Sequence, residues 1–145
     1  MITVIQRVGW ARILIDQQLH AEIGPGILAL VGIEKTDNAG HADKLLERIL
    51  SLRIFADAQG RMNLDVKQAG GGLLLVSQFT LVASTDRGLR PGFSSAMPPA
   101  EARTLFDHLV ARAQRLHQPV QSGLFGADMQ VQLENDGPVT FTLAT

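Results

Sequence analysis

Four residues with useful polar or aromatic groups follow the most apolar run of the sequence. Residues 73–76 read LLLV, three glycines precede them, and residues 77–81 read SQFTL. An apolar run bounded in this way predicts a strand that is buried on both faces. In layered α/β folds, ligands bind at the ends of such strands, where the following turn exposes backbone N–H groups and hydroxyl side chains. The candidate catalytic residues are therefore Ser77, Gln78, Phe79 and Thr80; an ordinary capped turn is the alternative.

The familiar constellations of hydrolytic enzymes are absent from the sequence. The chain has no cysteine, which excludes disulfides, thiolate nucleophiles and cysteine-ligated metals. Ser77 does not stand in a nucleophile-elbow motif, and the GPG at residues 24–26 lacks the lysine of a phosphate-binding loop. The four histidines do not have the spacing of metal ligands: His20, His41, His108 and His117. We therefore expect no metal and no cofactor.

Length and charge limit the class of protein. A chain of 145 residues fits one domain, residues 1–145, and its net charge of −1 lacks the basic footprint of proteins that grip long nucleic acids. A small RNA contact is still compatible, because Arg87 and Arg90 follow the SQFTL segment and arginine suits phosphate. Solvated loop charge is the alternative for both. The absence of cysteine, of a signal peptide and of a membrane-spanning run predicts a cytoplasmic protein with no membrane contact.

The elements that must position these residues are read from hydrophobic periodicity. The β-rich start predicts strands at residues 2–8, 11–15, 19–23, 27–33 and 53–56, where the first two form either a hairpin or one bulged strand. Residues 62–72 are predicted to be irregular, and residues 120–126 to form a further strand.

Two helices complete the predicted fold. The first follows residues 36–38, which can cap it, and the second begins at the prolines of residues 98–99 and ends before Pro119. Residues 83–97 have no periodicity and are the expected wall of a site. Residues 129–133 and 139–143 alternate around an NDGP turn, which predicts a closing hairpin. The predicted fold class is α/β, with two β-sheets and two helices packed on one side.

Several spaced motifs together resemble those of the D-aminoacyl-tRNA deacylase family, also called the D-tyrosyl-tRNA(Tyr) deacylase family. The resemblance covers the whole chain and rests on Arg7, SQFTL at 77–81, RGLRPGF at 87–93, GLFGADM at 123–129 and NDGPVT at 135–140. Arg87 and Leu89 depart from the lysine and polar residue expected in the loop, which affects only contacts with RNA.

The resemblance implies a cytosolic homodimer that acts on the acceptor end of aminoacyl-tRNA. The reaction is hydrolysis of the ester that joins a D-amino acid, or glycine, to the terminal adenosine. Such an activated ester chiefly needs positioned water and an oxyanion hole, which the backbone N–H groups of Phe79 and Thr80 would supply. In the family the vicinal 2′-hydroxyl of the ribose is taken to activate the water, in keeping with the lack of an obvious base here.

The resemblance also implies the substrate-binding residues. Phe125, Gly126 and Met129 would hold the terminal adenine by stacking and apolar contact. Gly137 and Pro138 would be joined by a cis bond, enter the site of the other subunit and reject L-residues at Cα; Arg7 would anchor them by binding main-chain carbonyls. Without the resemblance, core packing, a plain turn and a surface charge are the preferred explanations of these residues.

Two other functions remain open from the sequence. The first is a hydrolase that uses Thr80 as a covalent nucleophile on another ester, although no base is evident near it. The second is a non-catalytic module that binds RNA ends.

Overall fold

The computed structural model of the chain describes residues 1–86 and 88–145. Arg87, a predicted RNA contact, lies outside the described residues, and Arg90 is exposed. The elements are β1 (Ile2–Ile15), β2 (Gln18–Ile23), β3 (Gly26–Gly32), α1 (Ala39–Ser51), β4 (Phe55–Ala56), β5 (Met62–Leu64), β6 (Gly72–Ser77), a 3₁₀ helix (Phe79–Val82), α2 (Pro99–Leu116), β7 (Val120–Ser122) and β8 (Gln130–Ala144). No helix among these residues is long and apolar enough to cross a membrane.

The long strand β1 organises a six-stranded sheet. Its first half pairs with β3 and its second half with β2, while β8 runs antiparallel along its other edge. The sheet continues from β3 through β6 to β7 by parallel pairing, and β4 and β5 form a separate two-stranded sheet. The strands predicted at residues 2–8 and 11–15 are therefore one continuous strand, the second of the two alternatives.

The core lies on both faces of strands β3 and β6. On one face, side chains including Ile27 and Leu73 pack against both helices. On the other face, Leu28 and Leu74 pack against Ile13 and its neighbours from β1 and β2. The prediction that residues 73–76 are buried on both faces is confirmed, since each is no more than 1% exposed. Two helices lie on one side as predicted, and the strands form two sheets, the six-stranded sheet and the small sheet of β4 and β5.

Both helices begin where the sequence predicts them. Asn38 caps α1 by accepting a hydrogen bond from the His41 N–H, and Pro99 occupies the first position of α2, where a missing N–H costs nothing. The buried stripes occur at helical spacing and include Leu45 and Leu46 in α1 and Phe106 in α2.

The predicted closing hairpin is wrong. Both halves of β8 pair with β1 instead of with each other: Val131 lies opposite Ile13, and Phe141 lies opposite Ile5. Between the pairs Gln6–Thr140 and Val8–Asn135, β1 advances by two residues while β8 advances by five, so residues 136–139 leave the ladder as a bulge. The alternating pattern identified the strand but could not identify its partner.

Two smaller predictions also need correction. Residues 62–72 contain the strand β5, which pairs with β4 through Phe55 and Leu64. The strand predicted at residues 120–126 ends already at Ser122. Strands of three residues are too short to show a period in the sequence.

Candidate active site

The end of β6 carries two backbone donors without partners. Ser77 is the last residue of β6 and pairs with Val31, and the Gln78 N–H still donates to the Val31 carbonyl at 2.7 Å. The chain then turns into the 3₁₀ helix, whose first N–H groups have no partner inside the helix. Those of Phe79 and Thr80 have no acceptor in the part of the chain that the structure describes. They are therefore available to an oxygen of a ligand.

The Thr80 hydroxyl is fixed by a neighbouring amide. Its oxygen accepts a hydrogen bond from Gln78 Nε2 at 2.6 Å. Across residues 1–86 and 88–145, Thr80 makes no hydrogen bond to a carboxylate or an imidazole. A covalent threonine nucleophile needs such a base within hydrogen-bond reach. The geometry of Thr80 therefore suits a backbone donor better than a nucleophile.

A cavity of about 640 Å³ adjoins the start of the 3₁₀ helix, with Phe79 in its lining and Thr80 outside it. That volume lies within the usual range for small-molecule sites, and most of the lining side chains are apolar. It brings together six of the residues predicted from the sequence: Ser77, Gln78, Phe79, Phe125, Gly126 and Met129. Phe93, Ala96 and Met97 also line it, so the second half of the loop at residues 83–97 forms part of the cavity wall.

The aromatic wall of the cavity is held from two sides. The Phe125 ring packs against the buried ring of Phe106, with centroids 6.1 Å apart. From the opposite side, Arg103 donates to the Phe125 carbonyl at 3.1 Å. Gly126 follows with φ +78°, a conformation that favours glycine. At another edge, the 59% exposed ring of Phe79 packs against Phe93 at 4.9 Å.

A second region, formed by Arg7 and residues 135–139, is held by hydrogen bonds. Arg7 Nε donates to the Asp136 carbonyl at 2.9 Å and Arg7 Nη1 donates to the Ile54 carbonyl at 2.6 Å. The Val139 N–H donates to Asn135 Oδ1 at 2.7 Å. The Gly137–Pro138 bond is cis and Gly137 has φ +144°. The turn is thus clamped at both ends.

The two regions lie apart within one chain. Neither Arg7 nor Gly137 nor Pro138 lines the cavity. Val31 of β3 pairs with Ser77 of β6 on one side and with Thr3 of β1 on the other. Arg7 of β1 pairs instead with Ile27, four residues earlier on β3. Four residues of strand correspond to about 13 Å, and β8 adds further distance across the sheet. Within a single chain, the predicted site residues therefore fall into two separate regions.

Comparison with known proteins identifies the family of the chain. The family model described as D-Tyr-tRNA(Tyr) deacylase matches residues 4–144. The chain belongs to the D-Tyr-tRNA(Tyr) deacylase family. A D-aminoacyl-tRNA deacylase of Enterobacter sp. (strain 638) is 54% identical over 143 residues, which cover 99% of each chain. The predicted family and its hydrolase class are confirmed.

Two solved structures resemble this member of the deacylase family. One, titled c-Myc DNA Unwinding Element Binding Protein, has 34% identity and a TM-score of 0.96, and the match covers 100% of this chain and 99% of that one. The other is described as a probable eukaryotic D-amino acid tRNA deacylase; with 15% identity and a TM-score of 0.84 over 99% and 98% of the two chains, it shows the shared fold.

Sequence reasoning missed Arg103 among the residues around the site. Arg103 lies on α2, and its contact with Phe125 joins residues 22 positions apart. In the sequence it is one exposed position of an amphipathic helix, a pattern that predicts a solvated side chain. Only the docking of α2 against the loop at residues 123–129 distinguishes it from other arginines.

Proposed function

We propose that the chain hydrolyses the ester that joins a D-amino acid to the terminal adenosine of tRNA, which releases the free D-amino acid and the tRNA. The observation that carries this proposal is that the N–H groups of Phe79 and Thr80 lack an acceptor among the described residues, next to a cavity large enough for a nucleoside, in a member of this family. Backbone donors aimed at an oxyanion are a recurrent means of accelerating acyl transfer.

The terminal adenosine would occupy the cavity. Its base would rest against Phe125, Gly126 and Met129, because flat apolar side chains bind the faces of unpaired bases. The ester carbonyl would then reach the N–H groups of Phe79 and Thr80. Ser77 and Gln78 border the same space, and Gln78 fixes the Thr80 side chain.

Hydrolysis requires one water and an acceptor for its proton. Water attacks the carbonyl carbon, the carbonyl oxygen becomes an oxyanion held by the two N–H groups, and the bond from carbon to the ribose oxygen then breaks. The leaving oxygen takes up a proton while the attacking water loses one. The neighbouring 2′-hydroxyl of the ribose would relay this proton, and a substrate that carries its own relay needs no protein base.

We further propose that the working form is a homodimer in the cytoplasm. One chain keeps Gly137 and Pro138 away from its own cavity, so a second copy must deliver them if they are to face the substrate. A two-fold interface would complete both sites reciprocally. Specific activity should then fall together with dimer content on dilution; a monomeric interface variant that deacylates at the parental rate would refute the dimer.

The delivered turn would discriminate chirality. The carbonyls of Gly137 and Pro138 belong to the turn that Arg7 holds through the Asp136 carbonyl, and they would stand against Cα of the bound amino acid. An L-residue would drive Cβ into them, whereas a D-residue or glycine presents only hydrogen, so the built-in clash excludes the L-form. We therefore propose that glycyl-tRNA is also hydrolysed.

Matched D- and L-aminoacyl-tRNAs test the proposed function. The chain should hydrolyse the D-form and glycyl-tRNA and leave the L-form intact. Equal hydrolysis of both enantiomers would remove the chiral filter and favour a general esterase.

A non-catalytic nucleic-acid module is the second candidate, because a structural relative at 34% identity is titled as a DNA-binding protein. Binding of tRNA ends or of duplex DNA without any hydrolysis would favour it. The net charge of −1 argues against extensive contacts with a duplex.

A further inference from the structure

Arg103 is the cation that touches the aromatic wall of the cavity. Its Nη2 donates to the Phe125 carbonyl at 3.1 Å, and its Cζ lies 5.2 Å from the centroid of the Phe125 ring. Ala102, its neighbour on α2, lines the cavity directly. The side chain thus crosses from the helix to the loop that would support the adenine.

Most of the hydrogen-bonding capacity of Arg103 remains unused. A guanidinium has five N–H donors, and one hydrogen bond to the chain engages Arg103 within the described residues. In that part of the chain, no carboxylate lies within ion-pair distance of it, although Asp107 is one turn further along α2. Arg103 is exposed, so its remaining donors face solvent beside the cavity.

We propose that Arg103 binds the phosphate that links the terminal adenosine of tRNA to the preceding nucleotide. This inference rests on the function proposed above, which places the adenine against Phe125. The phosphate on the 5′ side of this adenosine would then lie at the mouth of the cavity, close to Phe125 and to Arg103. An arginine offers two parallel donors to a phosphate, and one already held by a carbonyl and a ring loses less freedom on binding.

The location of the charge makes Arg103 a positioning residue. It touches no reacting atom; it fixes the adenosine by its phosphate, so that the ester reaches the N–H groups of Phe79 and Thr80. Asp128 lines the cavity and is negatively charged. A cation nearby would offset its repulsion of the phosphate.

Arg103→Gln removes both the charge and the contact with the Phe125 ring, so a substrate without a phosphate is needed to separate the two effects. Two substrates are compared: D-aminoacyl-tRNA and the 3′-O-D-aminoacyl ester of adenosine, which has no phosphate. For the tRNA substrate, KM should rise about tenfold, as expected for one lost charge-assisted hydrogen bond, with kcat within about twofold. For the adenosine ester, KM should change by less than about twofold, because that substrate has no phosphate to lose.

Salt dependence and a charge-conserving variant sharpen the test. Losing one phosphate contact to a single strand should reduce the slope of log KM against log salt by about 0.7 in Arg103→Gln. Arg103→Lys keeps the charge, so it should retain the parental slope with an intermediate KM. The matched control is Arg115→Gln on the same helix, about 18 Å from Arg103, which should behave as the parent.

The outcomes are distinguishable. Equal rises of KM for both substrates would mean that Arg103 acts only through Phe125. An unchanged KM for the tRNA substrate would exclude a contact between Arg103 and the phosphate. Either result overturns the inference. If the parent hydrolysed neither substrate, the proposed function itself would fail. Arg103→Gln and Arg103→Lys should unfold at the same temperature as the parent. This control shows that a change in KM does not arise from a folding defect.

Discussion

The end of β6 and the turn at Gly137 differ in whether their backbone polar groups have hydrogen-bond partners. At the end of β6, the N–H groups of Phe79 and Thr80 have no acceptor within residues 1–86 and 88–145, and Phe79 lines a mostly apolar cavity. At the turn, the carbonyl of Asp136 and the N–H of Val139 are both taken up by side chains. Free donors can stabilise a charge that appears during a reaction, whereas satisfied groups hold a shape. The first region thus suits chemistry and the second suits discrimination.

Removing a free donor should have the largest effect. Thr80→Pro deletes the N–H, and proline is tolerated in the first turn of a helix, so the fold should survive. We expect kcat for D-aminoacyl-tRNA to fall about 10²–10³-fold, the usual effect of losing one oxyanion donor. Single-turnover hydrolysis measures it, with circular dichroism as the check on folding. A parental rate would separate this N–H from the reaction.

Deforming the clamped turn should have the next largest effect. A Cβ on Gly137 would lie 2.6 Å from Val139 Cγ2 and 2.9 Å from the Val139 nitrogen, at φ +144°. Gly137→Ala should therefore cost about 1–3 kcal/mol of stability and reduce hydrolysis of the D-substrate at least about tenfold. Gly24→Ala, where a Cβ meets nothing within 4 Å, is the matched control and should leave both unchanged. Equal behaviour of the two variants would show that the turn tolerates rearrangement.

Loss of the hydrogen bonds that Arg7 donates should reduce the selectivity for D- over L-aminoacyl-tRNA more than the rate of D-aminoacyl-tRNA hydrolysis. Arg7→Ala leaves the carbonyls of Asp136 and Ile54 without their donor, which should cost about 1–3 kcal/mol of stability. The ratio of D- to L-aminoacyl-tRNA hydrolysis should fall about tenfold, equivalent to about 1.4 kcal/mol. Arg12→Ala is the control, because Arg12 lies on the same strand but its side chain donates to Gln132 Oε1 and packs over the Trp10 ring, away from the turn. An unchanged ratio in Arg7→Ala would remove Arg7 from discrimination.

Removing the Thr80 hydroxyl should have the smallest effect. Thr80→Ala loses one exposed hydrogen bond from Gln78 and keeps the N–H. The single-turnover rate should stay within about threefold of the parent, because an exposed neutral hydrogen bond contributes about 0.5–1.5 kcal/mol at most. A fall of several orders of magnitude with tRNA binding intact would instead support the covalent mechanism.

The sequence predicted the features that depend on the local order of residues, namely the burial of a strand and the starts of the helices. Residues 73–76 showed their burial because both faces of that strand are covered, and both helices showed their starts through Asn38 and Pro99. The site segments were found by resemblance to the family. What the sequence could not predict depends on distant neighbours: the partner of β8, and the contact of Arg103 with Phe125.

In the proposed homodimer, the four-residue separation along β3 between the partners of Ser77 and Arg7 would make each chain supply its turn to the partner's cavity and receive the partner's turn at its own. Subunit complementation follows from it. A dimer that joins a Thr80→Pro chain to a Gly137→Ala chain would contain one site with both defects and one site with neither. Two nearly inactive preparations, mixed and allowed to exchange subunits, should therefore recover up to about a quarter of the parental activity, since random exchange makes about half of the dimers mixed and each has one of two sites intact.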